Sequence, residues 1–227
     1  MSKYFPSKEI LSSDWGQNTL WIEVTPKKIA NQVVQQTTYL ELSDEPVGEQ
    51  YNFLAPEQFE ETINNTWEPL ENIMSKISQK VASTANVIKQ GTQHFKVDTP
   101  LIYQNTDRRS ITFLFNLSID KNGNAKSNVT DPVKNLMKWS SPQIPSDLSP
   151  QNLMIELPYV FSVRTKKGDG EYKDIVNIRS AAITSIQPTY FHPYIGGHPC
   201  KCELTITFTD IEPVSREKTF EKKITVS

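Results

Sequence analysis

The stretch Ile111-Thr-Phe-Leu-Phe-Asn-Leu-Ser-Ile119 decides the fold class. Ile111, Phe113, Phe115, Leu117 and Ile119 point one way from an extended chain, and Thr112, Asn116 and Ser118 point the other. A strict period of two is the mark of a half-buried β-strand. The same period returns at 155–165, with Tyr159, Phe161 and Val163 inward and Ser162 and Arg164 outward. A long strand returns over 172–187, and the alternation reappears at Leu204, Ile206 and Phe208. Lys167-Gly-Asp-Gly170 reads as a tight turn joining two long strands. The Pro-, Gly- and His-rich stretch 188–200 reads as a loop, and Phe220, Ile224 and Val226 as a last strand.

Toward the N-terminus the pattern is mixed. Leu20, Ile22 and Val24 alternate with Thr19, Trp21 and Glu23, and Pro26 ends that strand. A β-branched stretch over 32–42 reads as its partner, with a loose turn around Lys27-Lys28, and 44–51 reads as a loop. Ala55-Pro56-Glu57 predicts a short helix over 56–65, because Pro suits the first helical position and acids suit the first turn. Leu70, Ile73, Met74, Ile77, Val81, Ala85 and Ile88 share one helical face over 69–90, which Gly91 stops. Asp131-Pro132 caps a short helix with Val133, Leu136, Met137 and Trp139 on its apolar side. Residues 1–18 read as a polar arm carrying Tyr4, Phe5 and Trp15. The expected class is mainly β (α+β): an antiparallel β-sandwich or barrel with one long and one short helix. The expected organisation is an arm (1–18) and a single domain (19–227), itself a β-hairpin region (19–54), a helical insertion (55–91) and a β-sandwich (92–227).

Length and composition narrow the function. The 227 residues can bury a core without a disulfide or metal staple. A net charge of −2 with no basic block argues against a general nucleic-acid binder, which gains affinity by neutralising phosphates. No apolar run approaches the roughly 20 residues that cross a bilayer, and Met1-Ser-Lys-Tyr-Phe-Pro6 lacks the apolar core of a signal peptide. A modest apolar fraction of 37%, with 15 Pro against 8 Gly, tilts toward a component of an assembly.

Catalytic signatures are missing. There is no phosphate-cradling glycine loop, no Gly-x-Ser-x-Gly and no His-Glu-x-x-His, so no catalytic residue, no metal ligand and no cofactor is assigned. One set of residues is worth weighing for zinc: His192, His198, Cys200 and Cys202. Its Cys-x-Cys spacing differs from the Cys-x-x-Cys knuckle, and Cys200 and Cys202 are read as pointing to opposite faces of a strand. A small zinc-binding β domain built on 192–202 is therefore the alternative from another class. Asp107-Arg108-Arg109 reads either as a local ion pair or as an interface clamp, since Arg makes bidentate contacts well.

Five blocks carry a resemblance. In order they are Tyr103-Gln-Asn-Thr-Asp-Arg-Arg-Ser-Ile-Thr-Phe-Leu-Phe-Asn-Leu117, Asp131-Pro-Val-Lys-Asn-Leu-Met-Lys-Trp139, Leu157-Pro-Tyr-Val-Phe-Ser-Val163, Ala182-Ile-Thr-Ser-Ile-Gln-Pro188 and Pro199-Cys-Lys-Cys-Glu-Leu-Thr-Ile-Thr-Phe-Thr-Asp-Ile-Glu-Pro-Val-Ser-Arg216. Together they resemble the baseplate tail-tube proteins of contractile-tailed phages, the rings between the central spike hub and the tail tube. The resemblance covers roughly half the chain; residues 1–98 match only as a β arm followed by a helix.

That resemblance implies a structural virion protein of the phage tail-tube fold, assembled in the host cytoplasm into the tail baseplate. It implies a homohexamer whose hairpins close one inner barrel and template tube assembly. The hub protein would lie below, and a second tube-initiator ring or the tail tube protein above. The tape measure protein and passing DNA would occupy the lumen, with no membrane involved. Carried onto this chain, the hairpin 155–187 is the expected inner barrel. Ser162, Arg164, Asn177 and Arg179 are the expected lumen residues, with Tyr159, Phe161, Val163, Val176 and Ile178 facing the sandwich core, and Trp15, Arg108, Arg109 and Tyr194 are the expected subunit-interface residues. The main tail tube subunit, or its counterpart in a contractile injection system, shares the fold and is the nearer alternative.

Overall fold

The computed structural model describes residues 2–5, 19–29, 42–69, 100–119, 124–144, 157–168, 171–212 and 214. The chain is mainly β. Its strands are β1 (Ser2–Phe5), β2 (Leu20–Ile29), β3 (Leu42–Pro46), β4 (Gln50–Leu54), β5 (Glu60–Thr62), β6 (Asn65–Pro69), β7 (Leu101–Thr106), β8 (Ser110–Ser118), β9 (Val160–Lys167), β10 (Glu171–Ile195) and β11 (His198–Asp210). The helix among the described residues is α1 (Asp131–Trp139), entered through a π-helical turn over Lys126–Thr130.

Two compact units divide the chain. The first, Met1–Thr62 with Ser110–Glu212, holds one sheet in the order β1-β4-β2-β9-β10-β11-β8-β5, with β3 also on β2. All its pairs are antiparallel except β1 on β4, which is parallel, so the N-terminal residues 2–5 form an edge strand where an arm was expected. The second unit, Ile63–Arg109 with Pro213–Ser227, contains the ribbon of β6 and β7. It begins inside the stretch read as a helical insertion and runs past it to Arg109.

The core of the first unit follows the alternation of the strands. Ile111, Phe113, Phe115 and Leu117 of β8 and Leu204, Ile206 and Phe208 of β11 are buried in it. Phe161 and Val163 of β9 and Val176 and Ile178 of β10 are buried there too, and Tyr159 packs against its margin. α1 closes one side with Val133 and Leu136, and Pro132 lies in its first turn. Trp139 is partly buried with its ring centroid 5.2 Å from that of Tyr51. Met137, expected on the apolar side, is 38% exposed.

Several local expectations are overturned for identifiable reasons. Residues 60–62 and 65–69 are strands, not part of a helix over 56–65, because β5 pairs with β8 and β6 with β7; ladder partners override a weak capping signal. β2 runs through Pro26 and Lys27 rather than turning there. Its β4 partners end at Val24 and its β3 partners begin at Lys27, so the imide nitrogen falls at a gap between neighbours. Part of 44–51 is strand, shared between β3 and β4. The expected loop 188–200 is the end of the β10–β11 hairpin. Beyond Ala181 the strand β10 has only β11 as a described partner, so Pro188 and Pro193 sit in a strand with one open side. The turn is Gly196-Gly197, whose φ angles of 57° and 80° suit a two-residue hairpin loop that needs positive φ at both positions. Of the helix expected over 69–90, Pro69 instead ends β6 and the rest lies outside the described residues, as do the partner strand expected over 32–42 up to Leu42, which begins β3, the turn expected over 121–124 up to Asn124, and the strand expected at 220–226.

Candidate functional site

Three elements form the most regular surface of the first unit: the outer half of β10, then β11, then β8. Their core-facing residues alternate with outward ones, and the outward set is rich in hydroxyls. Thr112 Oγ1 lies 3.0 Å from Thr207 Oγ1, Ser110 Oγ 3.1 Å from Thr209 Oγ1, and Thr184 Oγ1 3.1 Å from Thr209 Oγ1. Thr–Thr and Thr–Ser pairs of this kind tie neighbouring strands without introducing charge. Leu114 is 45% exposed among them, and Lys201 pairs with Glu203 on this surface, 3.2 Å apart near the hairpin tip.

Both flanks of this three-stranded wall are open among the described strands. β5 covers β8 only at Ser110–Thr112, leaving 113–118 without a strand on that side. β9 covers β10 only as far as Ala181, leaving 182–195 without one. A groove of about 630 Å³ lies against β8, lined by Pro56, Glu57, Phe59, Thr112, Leu114 and Asn116 among others.

The middle of the sheet covers two of the four expected lumen residues, Ser162 and Arg164. β9 is an interior strand, held by β2 on one side and β10 on the other, so the hairpin 155–187 presents no edge at β9. Ser162 is on the face away from the core but is 4% exposed. Arg164 is half-buried, with Glu23 as its cross-strand neighbour on β2 and Asn177 on β10. Asn177 and Arg179 are exposed, and Arg179 is engaged within the chain.

Glu23 organises that covered face. It is 4% exposed, and the Tyr172 hydroxyl donates to its two carboxylate oxygens at 3.1 and 3.3 Å. Lys166 Nζ lies 3.6 Å from the carboxylate. The Arg164 guanidinium and the Lys166 ammonium stand 5.4 and 5.9 Å from the Tyr172 ring centroid, within cation–π range. Burial, then the negative charge of Glu23, raises the pKa of both Tyr172 and Tyr4. Glu23 drew no attention in the sequence, because a lone acid at an outward strand position reads as solvent-facing. The signal available was its place between Trp21 and an inward-packed strand.

The expected interface residues scatter. Trp15 lies outside the described residues. Arg108 is exposed, whereas Arg109 is 6% exposed and engaged within the chain, which removes it from a free surface. Tyr194 is 48% exposed at the hairpin tip, edge-on to His192 at 4.7 Å.

The zinc set is not assembled. Among the described residues, no three His, Cys, Asp or Glu side chains converge as metal ligands. His198 Nδ1 is 3.1 Å from Thr130 Oγ1, and His192 is exposed. Cys200 and Cys202 are both buried and free, with exposed Lys201 between them. Residues two apart on a strand share a face, so the expectation of opposite faces was wrong. Burial pushes the Cys202 thiol up to about 11, away from the thiolate that zinc requires.

A scan against protein-family models finds no match, and a search of curated proteins finds none either. Among the described residues no helix is long and apolar enough to cross a membrane.

Proposed function

We propose that this chain is a structural ring subunit of the baseplate tail tube of a contractile-tailed phage. The ring would be a homohexamer joining the spike hub to the tail tube, with its lumen open to the tape measure protein and to DNA. The observation that carries this reading is the β10–β11–β8 wall. It is long and regular, among the described strands part of each flank lacks a strand partner, and it bears hydroxyls where a nucleic-acid binder would bear cations. A conduit must not hold a polyanion tightly, and a hydroxyl-rich surface whose Lys201 is paired with Glu203 meets that need. The five ordered sequence blocks support it as a resemblance. Under this reading the lumen wall moves from Ser162 and Arg164 to Thr112, Thr184, Thr207 and Thr209.

The test is electron microscopy of the purified full-length chain, with its mass measured by light scattering, alone and on isolated hub complexes. Sixfold rings with a central hole are expected. A chain that remains monomeric in both conditions is not a tube ring.

A further inference from the structure

Residues 56–60 form one wall of the groove beside β8, and the outward residues Thr112, Leu114 and Asn116 form the other. Phe59 fixes the first wall. Its ring packs on Phe113, with centroids 5.2 Å apart, and it lies against the core. Glu60 pairs with Thr112 in the β5–β8 ladder, so its side chain shares the outward face of Thr112 and Leu114. The groove is thus held between a strand and a segment anchored in the core, all within the first unit.

Its chemistry is one-sided. Leu114 is exposed, and Pro56 and half-buried Phe59 add apolar surface. Glu57 and Glu60 are exposed beside them, and neither carboxylate has an ion-pair or hydrogen-bond partner among the described residues. The lining holds no Lys, Arg or His to neutralise them. Such a groove fits a protein segment that presents an apolar side chain next to Lys or Arg. The stem of a Lys or Arg covers apolar surface while its cation reaches a carboxylate. The same two carboxylates repel phosphate, which disfavours nucleic acid and an anionic lipid surface as occupants. The volume of about 630 Å³ falls in the range of roughly 300–1,000 Å³ typical of sites that bury a ligand.

We infer that the groove between 56–60 and β8 is a docking site for an extended, cationic and partly apolar segment of a partner protein. Glu57 and Glu60 take its cations, and Leu114 and Phe59 take its apolar side chain. The site is complete within one chain and does not rest on the ring reading above.

The test is calorimetric titration of the full-length chain with a short synthetic peptide of alternating lysine and valine. One peptide is expected to bind per chain, more weakly as salt rises, because exposed ion pairs are screened. Glu57→Gln/Glu60→Gln is expected to weaken binding about tenfold and to remove most of its salt dependence. Leu114→Ser is expected to weaken it about tenfold and to leave the salt dependence in place. All three positions are exposed, so both variants should match the wild type by circular dichroism. Equal binding of a glutamate–valine peptide or of spermidine would overturn the inference, as would wild-type affinity in both variants. Sixfold rings from a chain that binds no peptide would overturn the docking site and leave the ring reading standing. Groove-dependent binding by a chain that stays monomeric on the hub would do the reverse.

Discussion

Phe53 of β4 and Phe115 of β8 stack across the core with ring centroids 4.5 Å apart and planes inclined by 23°. These strands stand well apart in the sheet order, so the pair locks one end of the sheet onto the other. Phe5, Phe113 and Phe208 extend the aromatic contact on either side.

Phe115→Ala should destabilise the first unit by about 3–5 kcal/mol, the range for truncating a buried aromatic. Urea unfolding followed by circular dichroism measures it. A loss below about 1 kcal/mol would mean that the site collapses freely and the stack does not hold the sheet together.

Tyr172→Phe removes the hydroxyl that donates to both oxygens of Glu23. Hydrogen bonds to charged groups are worth roughly 1.5–3 kcal/mol, and partial exposure of Tyr172 lowers this to about 1 kcal/mol. A double-mutant cycle with Lys166→Met should show coupling, since both side chains act on the same carboxylate. Strict additivity would mean that Glu23 is not the shared partner.

Alkaline stability should fall in a defined window. The Tyr51 hydroxyl is pushed up from 10.0 to about 12 and the Cys202 thiol from 9.0 to about 11, in both cases chiefly by burial. A raised folded-state value means the folded chain holds its proton more tightly than the unfolded chain. The stability is full below the unfolded values and is lost as pH rises through the folded ones. The urea midpoint should stay level to pH 9 and fall between pH 9 and pH 12. Tyr51→Phe should flatten the upper part of that fall, and an unchanged profile would contradict the assignment.

A chelator should leave the melting temperature unchanged, and metal analysis should find no stoichiometric zinc. His198 faces Thr130, and the two cysteines are buried and free. A chelator-induced drop of several degrees would restore the zinc reading of 192–202.

The sequence alone determined the mainly β class, the inward faces of β8, β9 and β11, and the short helix at 131–139. Each of these is a local matter: period-two alternation and a Pro at a helix start are visible without knowing any partner. The assignment of Phe161 and Val163 to the core followed from the same alternation, and that of Val176 and Ile178 from the resemblance. Gly196-Gly197 suits a two-residue hairpin turn, but within the Pro-, Gly- and His-rich stretch 188–200 it reads as part of a loop. Only the tertiary structure shows that Pro188 and Pro193 are tolerated where β10 has lost β9 as a neighbour. It alone decided that 60–62 and 65–69 pair as strands, that Glu23 is buried against Tyr172, and that β9 is interior while, among the described strands, 113–118 of β8 and the end of β10 have no strand on one side. Those properties belong to pairs of strands distant in sequence. The physical quantity that sets them, which backbone groups find partners across the sheet, is not encoded in any single window of the chain.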